Sequence, residues 1–123
     1  MRILVVEDNT IVAGLIISTI KDLPGDIEVD LATTAAEAVG MVETLEPDIV
    51  TLDIRLAEGD GYEVLSAIKH LPHSPRVIVL SNESHDEVSG RCMILGAERY
   101  FEKASQFNMF ISVLSDWTHA AQR

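Results

Sequence analysis

The feature that most constrains this chain is the largely apolar run Ile49-Val50-Thr51-Leu52, which ends in a carboxylate at Asp53 and gives way to a glycine-containing loop from Ile54 to Gly61. Apolar on successive rather than alternate residues, it reads as a strand covered on both faces, as in a parallel sheet layered between helices. Asp53 would then stand at the carboxyl end of a strand, where open α/β sheets place ligands and chemistry. A second such run, Ile3-Leu4-Val5-Val6, closes on Glu7 and Asp8. Parallel strands end on one edge, so three carboxylates are expected to meet there.

The rest of the chain supplies the layers. A strand from Arg2 to Glu7 is followed by Asp8-Asn9 as turn or capping residues, and Thr10 is placed to cap a helix from about Ile11 to Lys21. That helix offers two apolar faces, one with Ile11, Leu15 and Ile16 and the other with Val12, Ile16 and Ile20. Ile27 to Ala32 alternates strictly, as an edge or near-edge strand would. Thr33 or Thr34 caps the next helix, with Glu37 at capping-box spacing, and Ala35, Val39, Val42 and Leu45 recur along it until Pro47 stops the pattern.

Beyond Asp53, Tyr62 to His70 reads as a short helix, Val77-Ile78-Val79-Leu80 as another buried strand, and His85 to Leu95 as a helix ended by Gly96. Ala97 to Glu102 gives a fifth strand. Ser105 is placed to cap a last helix, whose Phe107, Phe110, Ile111, Leu114 and Trp117 are read chiefly as core, and the tail from Thr118 to Arg123 is expected to fray. Strand then helix, repeated without a composition break, predicts one α/β domain over residues 1–123, a doubly wound parallel sheet of five strands with five helices.

Composition narrows the partners. With 20 acidic and 9 basic residues and a formal charge of -11, the chain lacks the positive footprint that nucleic acid or an anionic membrane requires. No basic recognition stretch follows the fifth helix. A single cysteine, Cys92, rules out an internal disulfide framework, and no apolar stretch approaches the roughly 20 residues that span a bilayer, so a cytoplasmic protein without membrane insertion is expected. His70, His73, His85 and His119 lack the spacing of a zinc helix and read as surface residues.

The polar residues that close the apolar runs are Glu7, Asp8, Asp53, Ser81 and Lys103. Each falls at or just past a different strand end, Glu7 and Asp8 sharing one, so all five are expected on one surface. A hard divalent cation such as Mg²⁺ takes oxygen ligands of this kind, and with a lysine ammonium it would neutralise a transferring phosphoryl group while a carboxylate attacks.

In this pattern the chain resembles, over essentially its whole length, the receiver domain of two-component response regulators. Leu4-Val5-Val6-Glu7-Asp8-Asn9 is similar to that family's acidic pair, Leu52-Asp53 to its phosphoacceptor, and Gly61 to the glycine eight residues beyond. Gly96 to Lys103 is similar to the segment bearing a switch aromatic at Tyr100 and a phosphate-binding lysine at Lys103. The resemblance implies the flavodoxin-like strand order 2-1-3-4-5. It also implies metal ligation by Asp8, Asp53 and the backbone carbonyl of Arg55, with Glu7 acting through water, and Mg²⁺ (or Mn²⁺) as the ion. Ser81 is implied as the hydroxyl that meets a phosphoryl oxygen and, with Tyr100, as the switch.

A phosphohistidine on a sensor histidine kinase or a histidine phosphotransfer protein is the implied donor, and a phosphorylation-dependent homodimer through the last two strand-helix units an implied output. Transfer and self-dephosphorylation would both be autocatalytic, without an enzyme classification. Ala57, Asn82 and Ala104 depart from the family's common proline, small residue and cis-proline, and the stretches around Ser81 and Lys103 resemble a subgroup that often lacks an output domain. Met1 is expected to be a native start. Two other readings remain: a phosphorylation-independent protein-binding module of the same fold, and a Mg²⁺-dependent aspartyl-nucleophile phosphohydrolase, which would look for a second acid where Arg55 stands. The Arg55 side chain is long enough to hang over the Asp53 pocket, where it would pair with an acid or an incoming phosphoryl group, but it reads first as solvent-directed, and Tyr62 reads as packing beside the loop.

Overall fold

Strand and helix alternate throughout a computed structural model that describes residues 1–83 and 86–121. The strands are β1 (Arg2–Val6), β2 (Glu28–Ala32), β3 (Ile49–Leu52), β4 (Arg76–Ser81) and β5 (Arg99–Glu102). The helices are α1 (Thr10–Lys21), α2 (Ala35–Leu45), α3 (Gly61–Lys69), α4 (Asp86–Ile94) and α5 (Lys103–Ala121). All strand pairs are parallel and their order is β2-β1-β3-β4-β5, so the direction of winding reverses between β1 and β3. Ligands of open α/β sheets bind in the crevice at such a reversal.

Successive side chains of a strand point to opposite faces, and here both faces are covered. Ile3, Val5, Ile49, Ile78, Leu80 and Phe101 pack with Ile16 and Ile20 of α1 and Phe110 and Leu114 of α5. Leu4, Val6, Val50, Leu52, Val77 and Val79 pack with residues of α2, α3 and α4, among them Ala38, Val42, Val64, Leu65 and Cys92. The unbroken apolar runs follow from that double burial. β2, at the edge, alternates in sequence but not in burial, since Leu31 is 37% exposed while Asp30 is half-buried beside Val29.

Local signals settle differently in several places. Asn9, not Thr10, caps α1, its side-chain oxygen accepting the N–H groups of Ile11 (3.0 Å) and Val12 (3.1 Å). Of the two apolar faces of α1, the one carrying Ile16 and Ile20 turns inward, while Ile11 is 83% exposed and Leu15 55%. Thr34 caps α2 as expected, and Glu37 reaches back to the N–H of Thr33 at 2.8 Å. No Ser105 cap opens α5, which starts directly at Lys103 and is interrupted at Gln106 (φ -124, ψ 16), whose side-chain oxygen accepts the Glu102 N–H at 2.9 Å.

Helix then continues to Ala121, with Thr118 2% exposed and its hydroxyl donating to the Ser115 carbonyl at 3.0 Å, so the chain does not fray from Thr118. Phe110 and Leu114 are fully buried, with Phe107, Ile111 and Trp117 half-buried around them. The expected helix start and surface position of His85, and the expected fraying at Gln122 and Arg123, lie outside the described residues.

Candidate functional site

Sheet pairing carries on one residue past the strands where the winding reverses. The N–H of Glu7 donates to the carbonyl of Ala32 (3.0 Å) and that of Asp53 to the carbonyl of Val6 (3.0 Å), so both acids are clamped by neighbouring strands. Each carboxylate then hangs off a rigid sheet edge rather than a loop. Gly61 closes the turn beneath Asp53 by donating to the Ile54 carbonyl at 2.8 Å. A Cβ at that position would lie 2.7 Å from the Asp53 carbonyl oxygen and 2.8 Å from Ile54 Cα, so only glycine lets α3 come this close. Asp60 is occupied elsewhere, capping α3 through the Glu63 N–H at 3.0 Å.

Glu7 is 1% exposed and Asp53 6%. Lys103 comes to them from the end of β5, donating from Nζ to Asp53 Oδ2 at 2.8 Å and ion-pairing with the Glu7 carboxylate. Burial pushes the Glu7 carboxyl up to about 7, against the pull of Lys103 and with the added charge of Asp53. Burial lowers the Lys103 ammonium, but its bonds to Asp53 and Glu7 outweigh that and hold it above the usual lysine range. Lys103 is therefore a fixed positive charge.

One carboxylate oxygen each from Glu7, Asp8 and Asp53 lie within 4.8 Å of one another. Three hard oxygen donors facing one ammonium leave net negative charge out of water, and that donor set fits a divalent cation of the Mg²⁺ or Mn²⁺ kind. The acids floor a cleft of about 670 Å³ with Val12, Leu15, Ala104 and Phe107 on one flank and Arg55 and Asn82 on the other.

Ser81, fully buried at the end of β4, accepts the N–H of Glu83 on its Oγ at 3.2 Å. The Tyr100 hydroxyl donates to the Glu83 carbonyl at 2.5 Å, and burial raises its pKa and keeps the proton there. Both residues thus meet at Glu83, which the sequence patterns do not single out. The Arg55 side chain is 79% exposed, in line with a solvent-directed arginine, and it also pairs with an acid, the Glu83 carboxylate. Its own N–H donates to Asp53 Oδ1 at 3.2 Å. Tyr62 stands apart from the acids, packed beside the loop with the Arg91 guanidinium 3.7 Å from its ring centroid. His70, His73 and His119 are exposed and outside the acid cluster. No helix among the described residues is long and apolar enough to cross a membrane.

The sequence profile of the response regulator receiver domain matches residues 3–115. Among curated relatives, a protein-glutamate methylesterase/protein-glutamine glutaminase of Methanospirillum hungatei is 30% identical over 105 residues, spanning 84% of this chain and 31% of the relative. Its counterpart in Agrobacterium fabrum is 40% identical over 84 residues, 68% of this chain and 24% of that one. The chain thus spans about a quarter to a third of the length of these relatives. Among solved structures, the signal receiver domain of a DNA-binding response regulator from Colwellia psychrerythraea superposes with a TM-score of 0.88 at 25% identity, covering 97% of this chain and 98% of that one. The response regulator domain of Thermotoga maritima CheB gives 0.83 at 26% identity, covering 98% and 95%.

Proposed function

The chain belongs to the response regulator receiver domain family, and from that premise we propose that Asp53 accepts a phosphoryl group from a phosphohistidine on a sensor histidine kinase or a phosphotransfer protein. The observation that carries the reading is a clamped, buried Asp53 carboxylate at the end of β3, 2.8 Å from the Lys103 ammonium and grouped with Glu7 and Asp8.

In the forward step an Asp53 carboxylate oxygen attacks phosphorus. The N–P bond breaks, and the donor imidazole leaves with the electron pair and takes up a proton. Lys103 stays protonated and offsets charge on the phosphoryl oxygens. Asp8, Asp53 and the Arg55 backbone carbonyl would hold Mg²⁺ or Mn²⁺, with Glu7 holding a water ligand, and the ion supplies further neutralisation of those oxygens. In the return step water attacks phosphorus, the bond to Asp53 breaks, and inorganic phosphate leaves a free carboxylate. The chain's product is then a conformational state rather than a released chemical.

That state is read through Ser81 and Tyr100. A phosphoryl oxygen would accept a hydrogen bond from the Ser81 hydroxyl while Oγ accepts the Glu83 N–H, so a Ser81 drawn toward the phosphoryl group pulls on or releases Glu83, and any movement of Glu83 is felt at once by the Tyr100 hydroxyl bonded to it. A homodimer through α4, β5 and α5 would be one output, and sedimentation with and without a phosphate mimic tests it.

The test of the whole reading is incubation with acetyl phosphate and Mg²⁺ followed by intact mass. One acid-labile phosphoryl group on the wild type and none on Asp53→Asn is the expected result. The same increase on Asp53→Asn would move the acceptor elsewhere, and none on either protein would favour a phosphorylation-independent binding module.

A further inference from the structure

Glu7 and Asp53 take their places from the sheet, whose pairing runs through both of them, but Lys103 lies one residue past the last pair of its strand, Glu102 opposite Ser81. Its backbone belongs instead to the first turn of α5, which is broken at Gln106. No proline stiffens this turn, since Ala104 and Ser105 follow the lysine. The ammonium nevertheless ends at a defined point, 2.8 Å from Asp53 Oδ2 and against the Glu7 carboxylate. A flexible lysine stem reaches one point steadily only from a fixed root.

Gln106 closes the turn that holds that root. Side chains of a helix tilt toward its amino end, and Gln106 Oε1 reaches back to accept the Glu102 N–H at 2.9 Å. The N–H belongs to β5, so the bond ties strand to helix and encloses Lys103 between its two ends. In a capping box the same backward bond comes from the third helical residue and is matched by a forward bond from a serine or threonine. Here it comes one residue later, from a residue whose own backbone departs from helical geometry, with φ -124 and ψ 16. Phe107 resumes the helix and packs against Phe110, ring centroids 5.7 Å apart, which anchors the far side of the break.

We infer that Gln106 is a positioning residue for phosphoryl transfer, its bond to the Glu102 N–H fixing the root of Lys103 and so holding the ammonium where the phosphoryl oxygens on Asp53 arrive. The inference rests on the reading of Asp53 as the phosphoacceptor. Charge that stabilises a transferring phosphoryl group has to be in place beforehand, and an ammonium free to wander loses rate even though its charge is intact. Gln106 itself touches neither the acids nor the phosphoryl group. Its effect therefore exists only while Lys103 is there to be aimed.

The experiment measures, on the full chain at saturating Mg²⁺ and acetyl phosphate, how fast the acid-labile mass appears. Gln106→Met keeps the length of the side chain without the acceptor and is expected to slow loading roughly three- to ten-fold, whereas Gln106→Glu, which retains an acceptor oxygen, keeps most of the wild-type rate. In a Lys103→Gln background the Gln106→Met change should make no further difference. NMR of the unphosphorylated chain supplies a second readout: the two Hε protons of Lys103 are expected to be inequivalent in the wild type and to merge in Gln106→Met. An unchanged rate in Gln106→Met, no rescue by glutamate, an equal loss in the Lys103→Gln background, or Lys103 signals that are alike in wild type and Gln106→Met would overturn the assignment and leave Asp53 standing. Absence of any phosphoryl mass on the wild type would instead remove the reading of Asp53, and with it the catalytic role of Gln106, whatever the Lys103 signals show.

Discussion

Arg2, Glu28, Asp30 and Asp48 crowd the amino edge of the sheet as Glu7, Asp8, Asp53 and Lys103 crowd its carboxyl edge, yet only the second edge buries its acids. At the amino edge Arg2 pairs with Glu28 and Asp30, its N–H donates to the Asp48 carboxylate at 2.8 Å, and Arg76 holds Glu98 through bonds of 2.8 and 3.2 Å. The Arg76 and Glu98 side chains are nearly half exposed, so water and salt share their charge. At the carboxyl edge three acids face one ammonium, and two of them are almost wholly out of water. Residue type is the same at both ends. Burial and an unequal count of charges are what turn one edge into a reactive site, because charge that water cannot relieve either raises a pKa or calls for a cation.

The sharpest way to break this contrast is to take away the one buried cation. Lys103→Gln, unfolded by denaturant at pH 8 without divalent metal, should lose about 3–5 kcal/mol, since Glu7 and Asp53 are left buried without their counter-ion. Arg2→Gln should be hard to distinguish from wild type in the same titration. Equal losses at the two edges would mean that burial is not what separates them.

Glu7 gives the next largest effect and a defined pH signature. Its carboxyl has an ordinary value of 4.5 and is raised to about 7 in the folded chain. Between those values the folded state holds more protons than the unfolded one, so stability falls as pH rises through the window and the full penalty is present above it. Metal-free Glu7→Gln should therefore be more stable than wild type above pH 7, by at most about 3 kcal/mol, and the advantage should vanish below pH 4.5. An advantage that stays constant with pH would assign the effect to packing instead.

Gly61→Ala tests whether the carboxyl edge depends on the close approach beneath Asp53. A Cβ 2.7 Å from the Asp53 carbonyl oxygen has to push backbone rather than a flexible side chain, and a cost of about 1–3 kcal/mol is expected. Thermal unfolding measures it, and an unchanged midpoint would show that the turn yields freely.

How much of this is legible without coordinates depends on how many solutions a pattern admits. The central runs around Leu4, Val50 and Ile78 admit few, because four to five largely apolar residues bounded by polar or turn residues are too short for a buried helix and fit a strand covered on both faces. Asp53 and Glu7 are legible for the same reason, each being the first polar group past such a run, whereas Lys103 follows the largely polar β5 and is legible from the resemblance of Gly96 to Lys103 to the family's segment. α1 admits several, since Ile11, Val12, Ala13, Leu15, Ile16 and Ile17 leave scarcely a polar face, and periodicity alone cannot choose the side that turns inward. Asn9 and Thr10 are both good caps and adjacent. α5 starts without punctuation, at the residue after β5, so Ser105 looks like the first stop signal although Lys103 is already helical. Glu83 lies in a loop with no periodicity to frame it, and the readable clue is its offset from Ser81, which equals that of Arg55 from Asp53.

The smallest expected effect sharpens the contrast from the amino edge. Arg76 makes two separable interactions there, an ion pair with Glu98 and a stack on Trp117, with the guanidinium carbon 3.6 Å from the ring centroid. Glu98→Gln removes only the ion pair and should cost about 0–1 kcal/mol at low salt, fading toward nothing at 1 M salt, where the screening length is about 3 Å. Arg76→Ala also removes the stack and the packing of the aliphatic stem, adding roughly 0.5–1 kcal/mol that persists in salt because it does not depend on a long-range charge. The loss in Lys103→Gln should keep more of its size in 1 M salt than that of Glu98→Gln, since the buried charges of Glu7 and Asp53 are screened far less than an exposed pair. Salt dependence, more than size, is thus the measurement that tells the two edges apart, and a Lys103 effect that melted away in salt like that of Glu98 would show the carboxyl edge to be open to solvent.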